Sequence, residues 1–242
     1  MKAFSPTLGC RVLAEVFNRR FGITRRMTVS KSHVADVLRR HRSEIVWLRR
    51  TIRHRIPRPM PRNKTWAMDL TTVTDEFGLQ RLVFGIVDHG TRASIALCEL
   101  ADKRSLTILR VIVDSIRQFG SPRRIRVDNE ACFTSRLMRV ALAVLGIQLQ
   151  RIDPHCPWQN GRVERFFGTF KAAICRIVVN GTDLPHRLIE FRAFYNHVRP
   201  HQHLGGQTPA EAWNGIARVH GEGERVELWS GFLSGWYFPM KE

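Results

Sequence analysis

The chain has 242 residues, 43% of them hydrophobic, which is enough for one sizeable core with a small appended domain and too apolar for a disordered protein. No apolar run approaches the roughly 20 residues that span a bilayer, and the N-terminus lacks the apolar segment of a secretory signal. We therefore expect a cytoplasmic protein with no membrane partner. Its five cysteines are scattered and odd in number, which favours reduced thiols over disulfides.

Positive charge is concentrated at the N-terminal end. Residues 1–65 hold 17 Lys or Arg against 3 Asp or Glu, a net charge of +14, whereas residues 66–242 hold 22 against 18, a net charge of +4. A basic block beside a nearly neutral remainder favours a nucleic-acid-binding arm over a merely solvated surface. Within it, residues 53–65 are basic and spaced by prolines, which predicts an extended linker that either lies along a phosphate backbone or only separates two domains.

Residues 1–52 are predicted to form a helix-turn-helix-like DNA-binding region. Apolar spacing predicts a helix over about residues 9–20, and Ser30 is a plausible N-cap for a second helix over about residues 31–42. Two short helices around a glycine-containing connection are typical of this motif, although many helical pairs share the pattern. The second helix would present four residues to DNA: Lys31, His33, Arg39 and Arg40.

Residues 66–180 alternate between strand and helix patterns. The predicted strands are 66–74, 81–87, 93–100, 124–128 and 147–151, and the predicted helices are 104–119, 135–145 and 161–178. Three strands in a meander followed by alternating helices and strands give an α/β fold, a mixed five-stranded sheet with flanking helices. The remaining residues, 181–242, are predicted to form a tail with a helix and short strands.

Three acidic residues hold positions that invite chemistry. Asp69 lies within an apolar strand, Asp128 ends a short strand, and Glu164 lies in the first turn of a long helix. Each has an ordinary explanation on its own: an ion pair for Asp69, a loop cap for Asp128 and a helix-dipole contact for Glu164. If two central strands and a helix bring the three together, the carboxylates would repel one another unless divalent cations neutralised them. Oxygen ligands of this kind suit two Mg²⁺ or Mn²⁺ ions acting at a phosphodiester.

At this point the chain resembles the integrase-core transposases of bacterial insertion sequences, the DDE enzymes related to retroviral integrases. Four blocks carry the resemblance: WAMDLT at 66–71, RVDNE at 126–130, PWQNGRVERFFGTFK at 157–171 and YNHVRPH at 195–201. The 35 residues between Asp128 and Glu164 match the spacing of that family. The resemblance implies a ribonuclease-H-like catalytic core over residues 66–180.

The resemblance also implies roles for individual residues. Asp69, Asp128 and Glu164 would be the catalytic residues and would hold the metal ions. Four residues of the third block would contact DNA: Asn160 at the helix start, Arg162, Arg165, and Lys171 two turns beyond Glu164. Trp158 would either stack on a displaced base or pack beneath the loop. Asp88 and His89 are interpreted as a strand-end turn and not as catalytic groups.

The implied function is transposition. A phosphodiester at an element end is hydrolysed to free a 3′-hydroxyl, which then attacks target DNA directly, without a covalent enzyme intermediate. The implied partners are double-stranded DNA and further copies of the chain, in a bacterial cytoplasm at the nucleoid. Two alternatives remain: a ribonuclease-H-like nuclease that cuts without joining, and a catalytically inactive DNA-binding regulator derived from such an element.

Overall fold

The computed structural model describes residues 2–3, 8–23, 25–53, 60–152 and 160–239, with the side chains of residues 50–53 left out. The chain divides into two compact units, Met1–Arg58 and Pro59–Glu242. Within the described residues no helix has the length and apolar character needed to cross a membrane.

In its described residues the first unit contains the helices α1 (Cys10–Phe21), α2 (Lys31–Arg40) and α3 (Arg42–Arg53). The predicted cap of α2 is confirmed, because the Ser30 hydroxyl accepts a hydrogen bond from the backbone N–H of His33 at 3.1 Å. Asn18 ties the connection between α1 and α2 by bonding both the N–H and the carbonyl of Val29. The sequence pattern missed α3, and the predicted linker residues 54–59 lie outside the described part of the chain.

The second unit is built on a five-stranded sheet with the order β3-β2-β1-β4-β5. The strands are β1 (Trp66–Thr74), β2 (Gln80–Asp88), β3 (Ser94–Leu100), β4 (Arg124–Val127) and β5 (Gln148–Arg151). The first three pair antiparallel, and β4 runs parallel to both β1 and β5. The predicted mixed five-stranded sheet is thereby confirmed.

Helices cover both faces of this sheet and continue into the tail. They are α4 (Ser105–Phe119), α5 (Ala131–Thr134), α6 (Arg136–Val144), α7 (Gly161–Ile174), α8 (Leu184–Ala193) and α9 (Pro209–Asn214). A π-helical turn (Phe194–Val198) extends α8, a 3-10 turn spans Gln202–Leu204, and the hairpin β6 (Glu224–Leu228) and β7 (Leu233–Tyr237) follows. The tail therefore has the predicted helix and short strands.

The alternation of residues along β1 divides the core into two layers. Trp66 and Met68 pack with apolar residues of α4 and α6 on one face of the sheet. Ala67 and Val73 pack on the other face with the phenylalanines of α7 and α8. Because successive side chains of a strand point to opposite faces, Asp69 shares the α7 face with Ala67.

Gly85 of β2 sets how closely α7 approaches the sheet. A Cβ added at Gly85 would lie 2.7 Å from Cζ of Phe167 and 3.4 Å from Cε1 of Phe166. Gly85 is also the cross-strand partner of Asp69. The missing side chain therefore brings α7 against the part of the sheet that carries this acid.

We expect Gly85→Ala to reduce the free energy of unfolding by about 1–3 kcal/mol, because an extra methyl group overpacks the contact with Phe167. Gly168→Ala is the matched control on α7: no atom lies within 4 Å of its added Cβ. That change should instead stabilise the helix by about 0.5–1 kcal/mol. Urea unfolding of the two variants measures both effects. Equal stability of Gly85→Ala and the parent would show that this contact does not limit the approach of α7.

Candidate active site

The first two predicted acids lie on neighbouring strands of the sheet. The β1–β4 ladder pairs Trp66 with Ile125 and Ala67 with Arg126. The same register, continued by two residues, sets Asp69 level with Asp128 at the end of β4. Neighbouring strands are about 4.8 Å apart, so the Asp69 and Asp128 side chains project from adjacent strands. Both project from the face of the sheet that α7 covers.

Local hydrogen bonds hold both carboxylates. One oxygen of Asp69 accepts the N–H of Leu70 at 2.8 Å. One oxygen of Asp128 accepts the N–H of Glu130 at 3.0 Å, which turns the chain sharply after β4.

The third acid, Glu164, is exposed in the first turn of α7. This helix packs on the sheet through Val163, Phe166, Phe167 and Phe170, which are all buried. With 3.6 residues per turn, Glu164 lies on one flank of that buried stripe, and Lys171, seven positions later, lies on the same flank. Lys171 is also exposed.

Asp69 is buried, and the charges of the other two predicted acids reach it through space. Burial raises the pKa of Asp69 from 3.8 to about 6, the bond from Leu70 opposes the rise, and repulsion from Asp128, Glu130 and Glu164 adds to it. Burial also raises the pKa of Asp128. The hydrogen bond from the N–H of Glu130 opposes this rise, the charge of the Glu130 carboxylate adds to it, and Lys103 lowers it. Negative charge is therefore crowded at this point of the sheet.

The donor set fits a hard divalent cation. The acids that repel one another here are all carboxylates, the oxygen ligands that such cations prefer, and a bound cation would relieve that repulsion. Within the described residues, no three ligand side chains are close enough together to hold a metal ion.

Glu130 is a carboxylate that the sequence pattern did not single out. It repels Asp69 and Asp128, and its own oxygen accepts a weak hydrogen bond from the Cys132 thiol at 3.6 Å. Burial, followed by this carboxylate, raises the pKa of Cys132 to about 11. The only sequence signal for Glu130 was its position two residues after Asp128.

The remaining predicted residues of α7 differ in accessibility. Asn160 begins the helix as predicted, but its side chain is only 2% exposed and makes no capping bond. Arg162 is half-buried and donates to the carbonyl oxygen of His89. Arg165 is exposed and free to meet solvent or DNA. Trp158 lies outside the described residues.

In the first unit, the predicted DNA-contacting residues of α2 are all exposed: Lys31, His33, Arg39 and Arg40. Asp36 forms ion pairs with Arg40 at 2.7 Å and with Arg39 at 3.8 Å. Exposed pairs of this kind are weak, so both arginines remain available to a polyanion.

Asp88 and His89 form the strand-end turn that the sequence predicted. One oxygen of Asp88 accepts the N–H groups of Gly90 and Thr91 and the Thr91 hydroxyl, at 2.8–2.9 Å. The other accepts the N–H of Asn63 at 3.0 Å. These bonds occupy Asp88 in building the turn.

Two family models, both described as an integrase core domain, match this chain at residues 61–157 and 145–209. Together they cover residues 61–209, which is more than half of the chain and includes all three acids.

Relatives of the chain occur in insertion elements and in retroviruses. An uncharacterized 39.2 kDa protein of insertion element IS476 from Xanthomonas euvesicatoria is 29% identical over 62% of this chain and 44% of that protein. An uncharacterized 31.7 kDa protein of insertion element IS407 from Burkholderia multivorans is 26% identical over 66% of this chain and 58% of that protein. The Gag-Pro-Pol polyprotein of mouse mammary tumor virus is 28% identical over 76% of this chain and 10% of the polyprotein. The chain thus spans about half the length of the two insertion-element proteins.

Solved structures share the fold. The catalytic core domain of HTLV-2 integrase, in a trimeric form with magnesium, has a TM-score of 0.53 and 19% identity over 64% of this chain and 99% of that chain. A simian T-cell lymphotropic virus intasome bound to the PP2A regulatory subunit B56 gamma has a TM-score of 0.57 and 18% identity over 81% of this chain and 79% of that chain. The sheet and its helices are therefore those of a ribonuclease-H-like integrase core, and the chain belongs to the integrase core family.

Proposed function

We propose that this chain is a DDE-type polynucleotidyl transferase, a transposase or integrase that hydrolyses a phosphodiester at an element end and joins the freed end to target DNA. The observation that carries the proposal is the electrostatic coupling of Asp69 to Asp128 and Glu164. Crowded carboxylates beside a polyanion would only weaken a pure binding protein, but they suit one that recruits cations to a phosphodiester.

Asp69, Asp128 and Glu164 are the residues that would hold Mg²⁺ or Mn²⁺, as a pair of ions. When bound, such ions supply positive charge that stabilises the attacking and leaving oxygens. The three carboxylates would hold the ions in place. Two of them, Asp69 and Asp128, lie on the paired strands β1 and β4, and Glu164 lies on α7. The magnesium named in the HTLV-2 core structure supports this assignment by analogy.

The cationic side chains would position DNA around these acids. Lys171 lies on the same flank of α7 as Glu164, where it would hold a phosphate next to the reacting bond without touching the cations. Arg165 would hold flanking backbone. The helical unit with net positive charge, reaching DNA through α2, would supply binding to the element end.

Assembly on DNA would involve several copies of the chain. The HTLV-2 cores are described in trimeric and dimeric forms, and the simian virus structure is an intasome. These relatives support a homo-oligomer bound to double-stranded DNA. The division into Met1–Arg58 and Pro59–Glu242 supports a DNA-binding region separate from the catalytic core.

The proposal predicts that Asp128→Asn abolishes Mg²⁺-dependent cleavage of duplexes that carry the element ends, without loss of folding. The variant should melt at or above the parent temperature, because one repelling charge is removed. Cleavage gels and thermal melts measure the two effects. Asp114→Asn is the control, since Asp114 lies on α4 and pairs with Arg117 at the surface. Cleavage retained by Asp128→Asn would remove this residue from the mechanism, and binding without cleavage by the parent would favour the inactive regulator.

Asp69 should make metal-free protein less stable as the pH rises. Its pKa is about 6 in the folded chain and 3.8 ordinarily, so its favourable contribution is complete below pH 3.8 and is lost as the pH rises through about 6. Asp69→Asn lacks this loss and should gain melting temperature relative to the parent over that window, with EDTA present. Asp102→Asn should show the opposite sign, because the Thr107 hydroxyl lowers the pKa of Asp102. Parallel pH profiles for Asp69→Asn and the parent would contradict the raised pKa of Asp69.

Lys171→Glu should reduce strand joining far more than Lys171→Ala. The glutamate repels the phosphate, whereas alanine only removes a contact worth about 1–3 kcal/mol. Both variants should melt close to the parent, because Lys171 is exposed. Arg139→Glu, an equally exposed charge reversal on α6, controls for the change in net charge. If both Lys171 variants join strands at the parent rate, this lysine does not contact DNA near the acids.

A further inference from the structure

Near the start of α7, two arginines from different elements donate hydrogen bonds to the same backbone carbonyl oxygen. Arg162, in the first turn of the helix, donates to the carbonyl oxygen of His89. Arg92, in the turn between β2 and β3, donates to the same oxygen at 3.4 Å. Two like charges are therefore held side by side.

No carboxylate neutralises this pair among the residues that the structure describes. The acid whose charge acts on both arginines is Asp88, and its oxygens accept hydrogen bonds from neutral donors: the N–H groups of Asn63, Gly90 and Thr91 and the Thr91 hydroxyl. Neither arginine belongs to an ion pair within the described ranges. Asp88 attracts both only at a distance.

The arrangement is electrostatically unfavourable on its own. The two guanidiniums share one acceptor oxygen, and both arginines are half-buried. Burial lowers the pKa of Arg92, and repulsion from Arg165 adds to this, while Tyr195 and Asp88 act in the opposite direction. Half-buried cations that repel each other cost stability unless an anion joins them.

The backbone at Arg92 adds a second cost. Its φ angle is +64°, in the left-handed region that glycine occupies most easily. The chain keeps a long cationic side chain at a position where glycine would relieve both strain and repulsion. This favours a role for the guanidinium itself.

His89 supplies the carbonyl oxygen that both arginines bind, and its side chain is buried beside them. Its ring is 3% exposed, and its Nε2 atom has no hydrogen-bond partner among the described residues. Burial and the charges of Arg162, Arg126 and Arg92 lower its pKa to about 3, so the imidazole is neutral. A buried polar atom without a protein partner is unfavourable, and a hydrogen bond from a bound ligand would stabilise it.

We propose that Arg92 and Arg162, above His89, form a phosphate clamp that grips the DNA backbone. Two guanidiniums that meet at one point match the oxygens of a phosphodiester. The clamp lies on the flank of α7 opposite Glu164, about 200° around the helix axis, so it holds a phosphate away from the reacting bond. The inference rests on the proposed function for its DNA substrate but not for its anion chemistry.

The first test uses inorganic phosphate and the whole chain in EDTA. Low concentrations of phosphate should raise the melting temperature of the parent relative to chloride at equal ionic strength, because an anion that binds the folded state stabilises it. Arg92→Gly should lose this rise and melt at or above the parent in chloride. Arg117→Ala, an exposed arginine on α4 paired with Asp114, should respond like the parent. An Arg92→Gly protein that melts lower and still responds to phosphate would show that Arg92 is only a structural tether, which overturns the clamp.

The second test uses duplex DNA, again without metal. The slope of log affinity against log salt should become less steep by about 0.9 in Arg92→Gly and stay unchanged in Arg117→Ala. Arg92→Lys, which keeps the charge, should restore most of the slope. A phosphate response without any change of slope would make this a free-anion site and overturn the DNA assignment.

These measurements separate the clamp from the catalytic proposal. A parent protein that binds DNA through Arg92 but never cleaves with Mg²⁺ would sink the proposed catalysis and leave the clamp standing. A protein that cleaves normally while Arg92→Gly binds with the parent slope would sink the clamp alone.

Discussion

The contact between Phe167 and the bare backbone of Gly85 determines how the rest of the site is arranged. It lets α7, which carries Glu164, pack closely on β2 at the residue that pairs with Asp69. Any side chain at position 85 would lift the helix and separate the third acid from the first. The position of Glu164 relative to Asp69 thus depends on apolar packing between α7 and the sheet, and not on attraction among the charged groups themselves.

The first turn of α7 divides opposite charges between its two flanks. Glu164 faces the crowded acids, which call for cations, while Arg162 faces the crowded arginines, which call for an anion. A DNA strand with bound divalent ions offers both partners at once. Each cluster is unfavourable in the isolated chain, so binding would relieve repulsion on both sides of the same helix. Under the proposed function, relief of repulsion among like charges would supply part of the affinity for DNA.

The sequence predicted the helices and strands better than it predicted which of them contact one another. Alternation along β1 and helical spacing in α4 and α7 were strong because both faces of the sheet are buried. The helix α3 was missed because its arginines resemble those of the linker that follows it. Strand order is a long-range pairing, so the neighbourhood of Asp69 and Asp128 came from family resemblance and not from pattern. Arg92 gave no signal, because neither a positive φ angle nor an unpaired charge is visible in a sequence.

The strict alternation of β1 has a consequence for how such chains can change in length. Insertion or deletion of one residue between Trp66 and Asp69 would turn the acid to the α4 face and bury it among Met68, Phe84 and their neighbours. The turn at Gly146, between α6 and β5, has open space around it and a φ angle of +70° that any glycine-rich loop can adopt. A residue added at that turn would therefore disturb little packing and would alter only the 35-residue spacing between the second and third acids, whereas a residue added in β1 would turn the first acid away from them.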